Sequence, residues 1–245
     1  MRVIAKLDAK PPHIVKPIHF EGLRKVGNPQ EMAQQYYTQG VDEILYVDIV
    51  ASLYRRQPIP DRVAQLSDGL FVPLAVGGGI RDLDSISQLF HVGADKVTMN
   101  TYPLQVEPEF IDQAARAFGS QAIVVAIEAK RWDQGWECYS DCGRERSGKD
   151  AIAWAQQAER RGAGELLIQS VDCDGRRHGF DIPLLQAIKQ VVNIPVIAAS
   201  GAGCVDHVLE MARQVRPDAV AVASLLHYDL ATVAQLKSAL AQEGL

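Results

Sequence analysis

The sequence predicts a (β/α)8 barrel, an α/β TIM-type barrel with two-fold internal pseudosymmetry, built as one domain over residues 1–245. Three observations predict it: eight short β-branched runs, a helical-period segment after each of them, and a motif repeat at about half the chain length. The expected strands are Val3–Leu7, Glu43–Ile49, Pro73–Val76, Lys96–Met99, Ala122–Glu128, Glu165–Ser170, Pro195–Ala199 and Ala219–Ala223. The expected helices lie near Gln30–Gln39, Asp61–Ser67, Leu83–His91, Glu107–Phe118, Asp150–Arg161, Leu184–Val191, Val205–Gln214 and Ala231–Gln242. A helix after every strand implies parallel pairing with right-handed crossovers, as a barrel or an open sheet.

The repeat favours the barrel. VDEILYVD from Val41 resembles AGELLIQS from Ala163, and VPLAVGGG from Val72 resembles IPVIAASG from Ile194. DKVTMNT from Asp95 resembles DAVAVAS from Asp218, and AKLDAK from Ala5 resembles AIEAKR from Ala126. Offsets of about 120 residues are too long for a solenoid and suit two halves of four βα units each. The longest irregular stretch, Lys130–Lys149, carries RWDQGWECYS and predicts a small hairpin over the barrel mouth. Trp132 and Trp136 are expected to pack that hairpin.

Composition sets the function classes aside in turn. A net charge of −5 argues against a nucleic-acid surface. No apolar run is long enough to span a bilayer, and the N-terminus lacks the pattern of a signal peptide, so no membrane partner and a cytoplasmic location are expected. The four cysteines form no C-x-x-C pair, which predicts scattered thiols with no metal site and no cofactor.

Barrel chemistry belongs at the C-terminal strand ends. The first strand ends in Asp8 and the fifth in Glu128, which the repeat places on opposite sides of one mouth. Two such carboxylates can divide into acid and base, or each can simply cap its loop. Lys10, Lys16 and Lys130 follow the acids, as phosphate ligands or as solvated surface charges. Gly78 and Gly79 follow the third strand and Gly201 the seventh, where backbone N–H groups can approach an anion. Asn100 and Thr101 end the fourth strand, and Ala223 and Ser224 the eighth, each before a turn suited to phosphate. The matched offsets predict two facing phosphate cradles and hence a bis-phosphorylated small molecule. Asp174 and Gly175, after the sixth strand, suit either a tight turn or a substrate hydroxyl. At the other end, Arg2, Glu43, Lys96 and Glu165 begin four strands with alternating sign. Charges there are costly unless paired, so a closed ring is expected, and a structural plug is the simplest role for it. The six histidines form no H-x-x-x-H pair and are expected to pack or to sit in loops.

The stretches DEILYVDI, VPLAVGGGIRD, GADKVTMNT, FGSQAIVVAIEAKR, GAGELLIQSVDCDG and SGAG resemble the cyclase subunit of imidazole glycerol phosphate synthase across nearly the whole chain. The resemblance implies a glutaminase partner on the N-terminal barrel face, forming a heterodimer, and ammonia passing up the barrel to a bis-phosphorylated aminoimidazole carboxamide ribonucleotide. Asp8 and Glu128 then become the catalytic pair and the four-charge ring an ammonia gate. Lys16, Gly79, Asn100, Thr101, Gly201, Ala223 and Ser224 become substrate and phosphate ligands. Departures from the family pattern cluster at the mouth. Glu128 replaces an aspartate, His19 an asparagine and Gln169 a threonine, and the first loop reads AKPPHIVKP. These departures raise an alternative, a paralogue that channels ammonia to a sugar amidotransferase of surface-polysaccharide synthesis. The sister isomerase of the pathway is a third reading, which the gate residues disfavour.

Overall fold

The computed structural model describes residues 1–19 and 21–245. Eight parallel strands close into a barrel: β1 (Arg2–Lys10), β4 (Glu43–Asp48), β5 (Leu74–Gly77), β6 (Lys96–Met99), β7 (Ile123–Trp132), β10 (Glu165–Ser170), β11 (Val196–Ala199) and β12 (Ala219–Val222). They pair in that order around the ring, and β12 meets β1 through Arg2 and Ala219. The expected strands all form, with ends displaced by a few residues.

Eight long helices follow as expected: α1 (Pro29–Thr38), α2 (Pro60–Ser67), α3 (Leu83–His91), α5 (Phe110–Phe118), α6 (Ala151–Arg160), α7 (Ile182–Lys189), α8 (Val205–Val215) and α10 (Val233–Gln242). Side-chain caps fix several starts. Asn28 accepts from the Gln30 and Glu31 N–H groups, Asp82 from Ser85 and Asp181 from Leu184, while Thr232 and Gln235 form a capping box. The α5 helix begins at Phe110, three residues later than its periodicity suggested, because residues 107–109 form the turn leading into it.

Strand alternation sorts the side chains into two cores. Outward residues of β1, namely Val3, Ala5, Leu7 and Ala9, join the large core beneath the helices. Inward residues form a second cluster inside the barrel, in which Ile4, Leu45, Val124 and Leu167 meet small alanines of β5, β11 and β12. The barrel is therefore a packed core with its chemistry confined to the two ends.

The halves share more than their strand count. Each opens on a long strand that runs past the barrel rim into an antiparallel hairpin. In the first half β1 turns back through β2 (His13–Ile18) and β3 (Glu21–Gly27). In the second, β7 turns back through β8 (Gly135–Ser140) and β9 (Glu145–Asp150). The second hairpin was expected from Gly135, whereas the first was not. In each half a short helix, α4 (Thr101–Gln105) or α9 (Ser224–His227), also follows the fourth strand, where turns alone were anticipated. Their N-caps, Asn100 (φ −132°, ψ −77°) and Ala223 (φ −127°, ψ −78°), share one backbone conformation, as a structural repeat requires.

Candidate active site

At the mouth, β1 and β7 stand four strands apart around the ring, so Asp8 and Glu128 face each other across it. Both carboxyls are buried, Asp8 at 1% exposure and Glu128 at 8%. Their surroundings differ. Asp8 contacts the Lys6 ammonium directly, and Lys16 Nζ lies 3.6 Å from its second oxygen. Burial opposes ionisation of Asp8, but the two lysines outweigh it and hold its carboxyl below the usual carboxylate range. Glu128 accepts a hydrogen bond from the Gly143 N–H at 2.7 Å. There burial prevails over that bond and over the Lys6 charge, and pushes the carboxyl up to about 7. The two acids are thus driven in opposite directions, the condition under which one remains a carboxylate and the other exchanges a proton near neutral pH.

The first hairpin places Lys16. β2 folds back over the mouth with Ile14 opposite Ala9, which carries Lys16 onto Asp8 and to within 3.0 Å of Asp174. Asp174 and Asp8 raise the Lys16 amine above its ordinary range against the opposing effect of burial. The same loop is tied down at His19, whose N–H donates to the Asp174 carbonyl at 2.9 Å and whose Nδ1 lies 3.0 Å from the Val171 carbonyl. Asp174 is therefore an ion-pair partner as well as a turn residue, and Gly175 beside it has φ +70°.

Two cavities open on the mouth. The larger, about 160 Å3, is lined by Glu128, Gly78, Gly79, Asn100, Thr101 and Gln169. The smaller, about 20 Å3, is lined by Lys16, Asp174, Gly175, Gly201, Ala223 and Ser224. Glu128, Lys16 and the glycine-turn residues singled out from sequence line these two cavities, whereas Asp8, held between Lys6 and Lys16, lines neither, and nor do Lys10, Lys130 or His19. The glycines have a steric reason of their own. At Gly79 (φ +73°) a Cβ would stand 2.1 Å from the Arg56 carbonyl oxygen, and at Gly201 (φ +108°) one would stand 2.0 Å from that of Gly179. Only glycine lets these turns approach the neighbouring loop.

Sequence reading passed over Lys6, which lines both cavities. Alternation could have found it, since a residue two before Asp8 on a strand must share its face. It also passed over Arg56, which pairs with Asp48 at 3.1 Å on the wall of the larger cavity. Trp136 packs as expected, donating to Asp181 at 3.0 Å beneath the Arg131 guanidinium. Trp132 is 54% exposed and carries the Arg146 guanidinium 3.8 Å from its ring centre. Lys10 and Lys130 are exposed. His227 is half-buried, with Nδ1 2.7 Å from the Tyr36 hydroxyl, and desolvation lowers its ring to about 4, so it is neutral.

At the opposite end the four charges close into a ring. Arg2 Nη1 lies 2.8 Å from Glu43, Arg2 Nη2 contacts Glu165, and Lys96 Nζ lies 2.9 Å from each of the two glutamates. Among the described residues no cluster of side chains suits a metal ion, and no helix is long and apolar enough to cross a membrane.

A closed eight-stranded barrel with opposed acids and glycine turns at its C-terminal mouth defines a (β/α)8-barrel enzyme. Residues 2–232 match the model of the histidine biosynthesis protein family. The chain is 43% identical over its full length to imidazole glycerol phosphate synthase subunit HisF of Thermococcus onnurineus, covering 96% of that protein. It is 48% identical over 83% of its length to HisF of Legionella pneumophila, covering 96% of that protein. HisF of Microcystis aeruginosa is 44% identical over 97% of the chain, with 94% of that protein covered. The chain belongs to the histidine biosynthesis protein family, in its HisF branch.

Proposed function

We propose that the chain is the ammonia-dependent cyclase of imidazole glycerol phosphate synthase, folded as one domain and working in the cytoplasm. It would convert a bis-phosphorylated aminoimidazole carboxamide ribonucleotide to imidazole glycerol phosphate and aminoimidazole carboxamide ribonucleotide. The observation that carries this reading is the pairing of Asp8 and Glu128 across one mouth flanked by both glycine-turn cavities, in a chain with full-length HisF similarity. That similarity favours the cyclase over the polysaccharide-amidating paralogue.

Each group has a role that follows from its surroundings. One substrate phosphate would sit against Gly78, Gly79, Asn100 and Thr101, and the other against Gly201, Ala223 and Ser224. The N-terminal N–H groups of α4 and α9 would donate to such anions. Asp174 and Gly175 would border the second phosphate, and the Lys16–Asp174 ion pair holds the first loop beside that cavity. Asp8, whose lysines keep it ionised, would be the base that takes a proton as ammonia adds to the substrate ketone and returns it as the imine forms. Glu128, titrating near neutral pH, would carry protons during imine formation and ring closure. A glutaminase subunit would dock on the N-terminal face, with Arg2, Glu43, Lys96 and Glu165 as the gate its ammonia passes.

The test is turnover of the ribonucleotide by purified protein in ammonium salt. Consumption of substrate is expected, and Asp8→Asn should slow it by about 10²–10⁴-fold, the usual worth of acid–base catalysis. Turnover no faster than buffer would reject the reading.

A further inference from the structure

Lys6 has a part in the mouth beyond pairing with Asp8. Its side chain leaves β1 on the inward face, one layer above Ile4 and one below Asp8. The corresponding residue of the second half, two before Glu128, is Ala126, so the second half presents no matching amine. Lys6 and Ala126 both line the larger cavity, and Lys6 alone of these two also lines the smaller. A single buried amine thus stands where the two phosphate-cradle cavities meet.

An amine nucleophile needs a route to the substrate carbon, an adjacent base to take its proton, and shelter from bulk water. Lys6 has all three. It lines both cavities, it contacts the Asp8 carboxylate, and it is 6% exposed with the Lys16 ammonium on the far side of Asp8. Glu128 stands on the wall of the larger cavity as a second proton carrier.

We propose that Lys6 is a covalent site for phosphorylated ketones and aldehydes, which it captures as an imine while a glycine-turn cradle holds their phosphate. The Lys6 ammonium first gives one proton to Asp8. Nζ then bonds the carbonyl carbon as the C=O π pair moves to oxygen. That oxygen takes a proton from Glu128, and the nitrogen returns one to Glu128, leaving a neutral carbinolamine. Asp8 passes its proton to the new hydroxyl, the C–O bond breaks, and water leaves. The product is an iminium whose nitrogen keeps one hydrogen. No oxidant or reductant takes part. The proposal rests on the phosphate-binding reading of the mouth and not on ring closure.

The experiment is reductive trapping. Wild-type protein is incubated with dihydroxyacetone phosphate and sodium borohydride, digested, and mapped by mass spectrometry. The expected result is a reduced triose phosphate adduct on the peptide containing Lys6, suppressed by excess inorganic phosphate and lost in Lys6→Arg. No adduct, an adduct only on exposed lysines such as Lys130, or labelling indifferent to phosphate would each overturn the proposal. Mapping the wild-type chain settles the site even if Lys6→Arg does not fold. Ammonium-dependent turnover of the ribonucleotide is measured on the same preparation. Its failure counts against the cyclase reading alone, and failure of Lys6 labelling counts against this proposal alone.

Discussion

Replacing Glu128 with glutamine should change how the protein's stability depends on pH. Burial raises the folded-state Glu128 carboxyl from its ordinary 4.5 to about 7. Between those values the folded protein holds a proton that the unfolded chain has released. Stability therefore falls as pH rises through that window, and the loss is complete above pH 7. At about 1.4 kcal/mol per pKa unit, the loss attributable to this group is about 3 kcal/mol. Glu128→Gln cannot ionise, yet its Oε1 can still accept from the Gly143 N–H, so the variant should lack that component. Urea unfolding of both proteins from pH 4.5 to pH 8 measures it. The expected outcome is near-equal stability at the acid end and a variant more stable by up to about 3 kcal/mol at pH 8. Parallel stability curves across the range would refute the claim that Glu128 is held protonated by burial. The same variant should flatten the neutral-pH limb of the rate profile in ammonium turnover.

Three further outcomes follow from the geometry. Lys96→Met leaves Glu43 and Glu165 without one of their two cations and should cost about 3 kcal/mol, read by urea unfolding at pH 8. The cost should shrink in acid, since burial already raises the Glu43 carboxyl and a proton then replaces the missing charge. Gly201→Ala should destabilise by more than about 1 kcal/mol in thermal melting, because its Cβ meets the Gly179 carbonyl at a positive φ. Trp136→Phe removes the hydrogen bond to Asp181 and should cost about 1 kcal/mol in the same assay, with the second hairpin the first region to lose hydrogen-exchange protection.

The barrel was legible because its strands are apolar on both faces and its halves repeat, so each reading of one half checked the other. The bottom ring was legible because Arg2, Glu43, Lys96 and Glu165 break apolar runs at their first residue. The first hairpin was not. Pro11, Pro12 and Pro17 read as breakers, and its strands lack the alternation that marks a half-buried ribbon. The contact between Lys16 and Asp174 joins residues 158 apart and depends on that hairpin. The helices α4 and α9, five and four residues long, are too short for a periodic signal. Lys6 escaped notice inside RVIAKLDAK because the apolar neighbours suggested a core strand, and only the face it shares with Asp8 reveals where it points.

β1 supplies the inward column of Arg2, Ile4, Lys6 and Asp8, and so contributes to the base, the filling and the mouth in nine residues. A one-residue slip of this strand would rotate all four outward together. An insertion or deletion anywhere along it would cut the floor ring and the upper ion pairs in the same stroke. Whatever length changes the connecting loops absorb over evolution, this strand's spacing is locked at both ends.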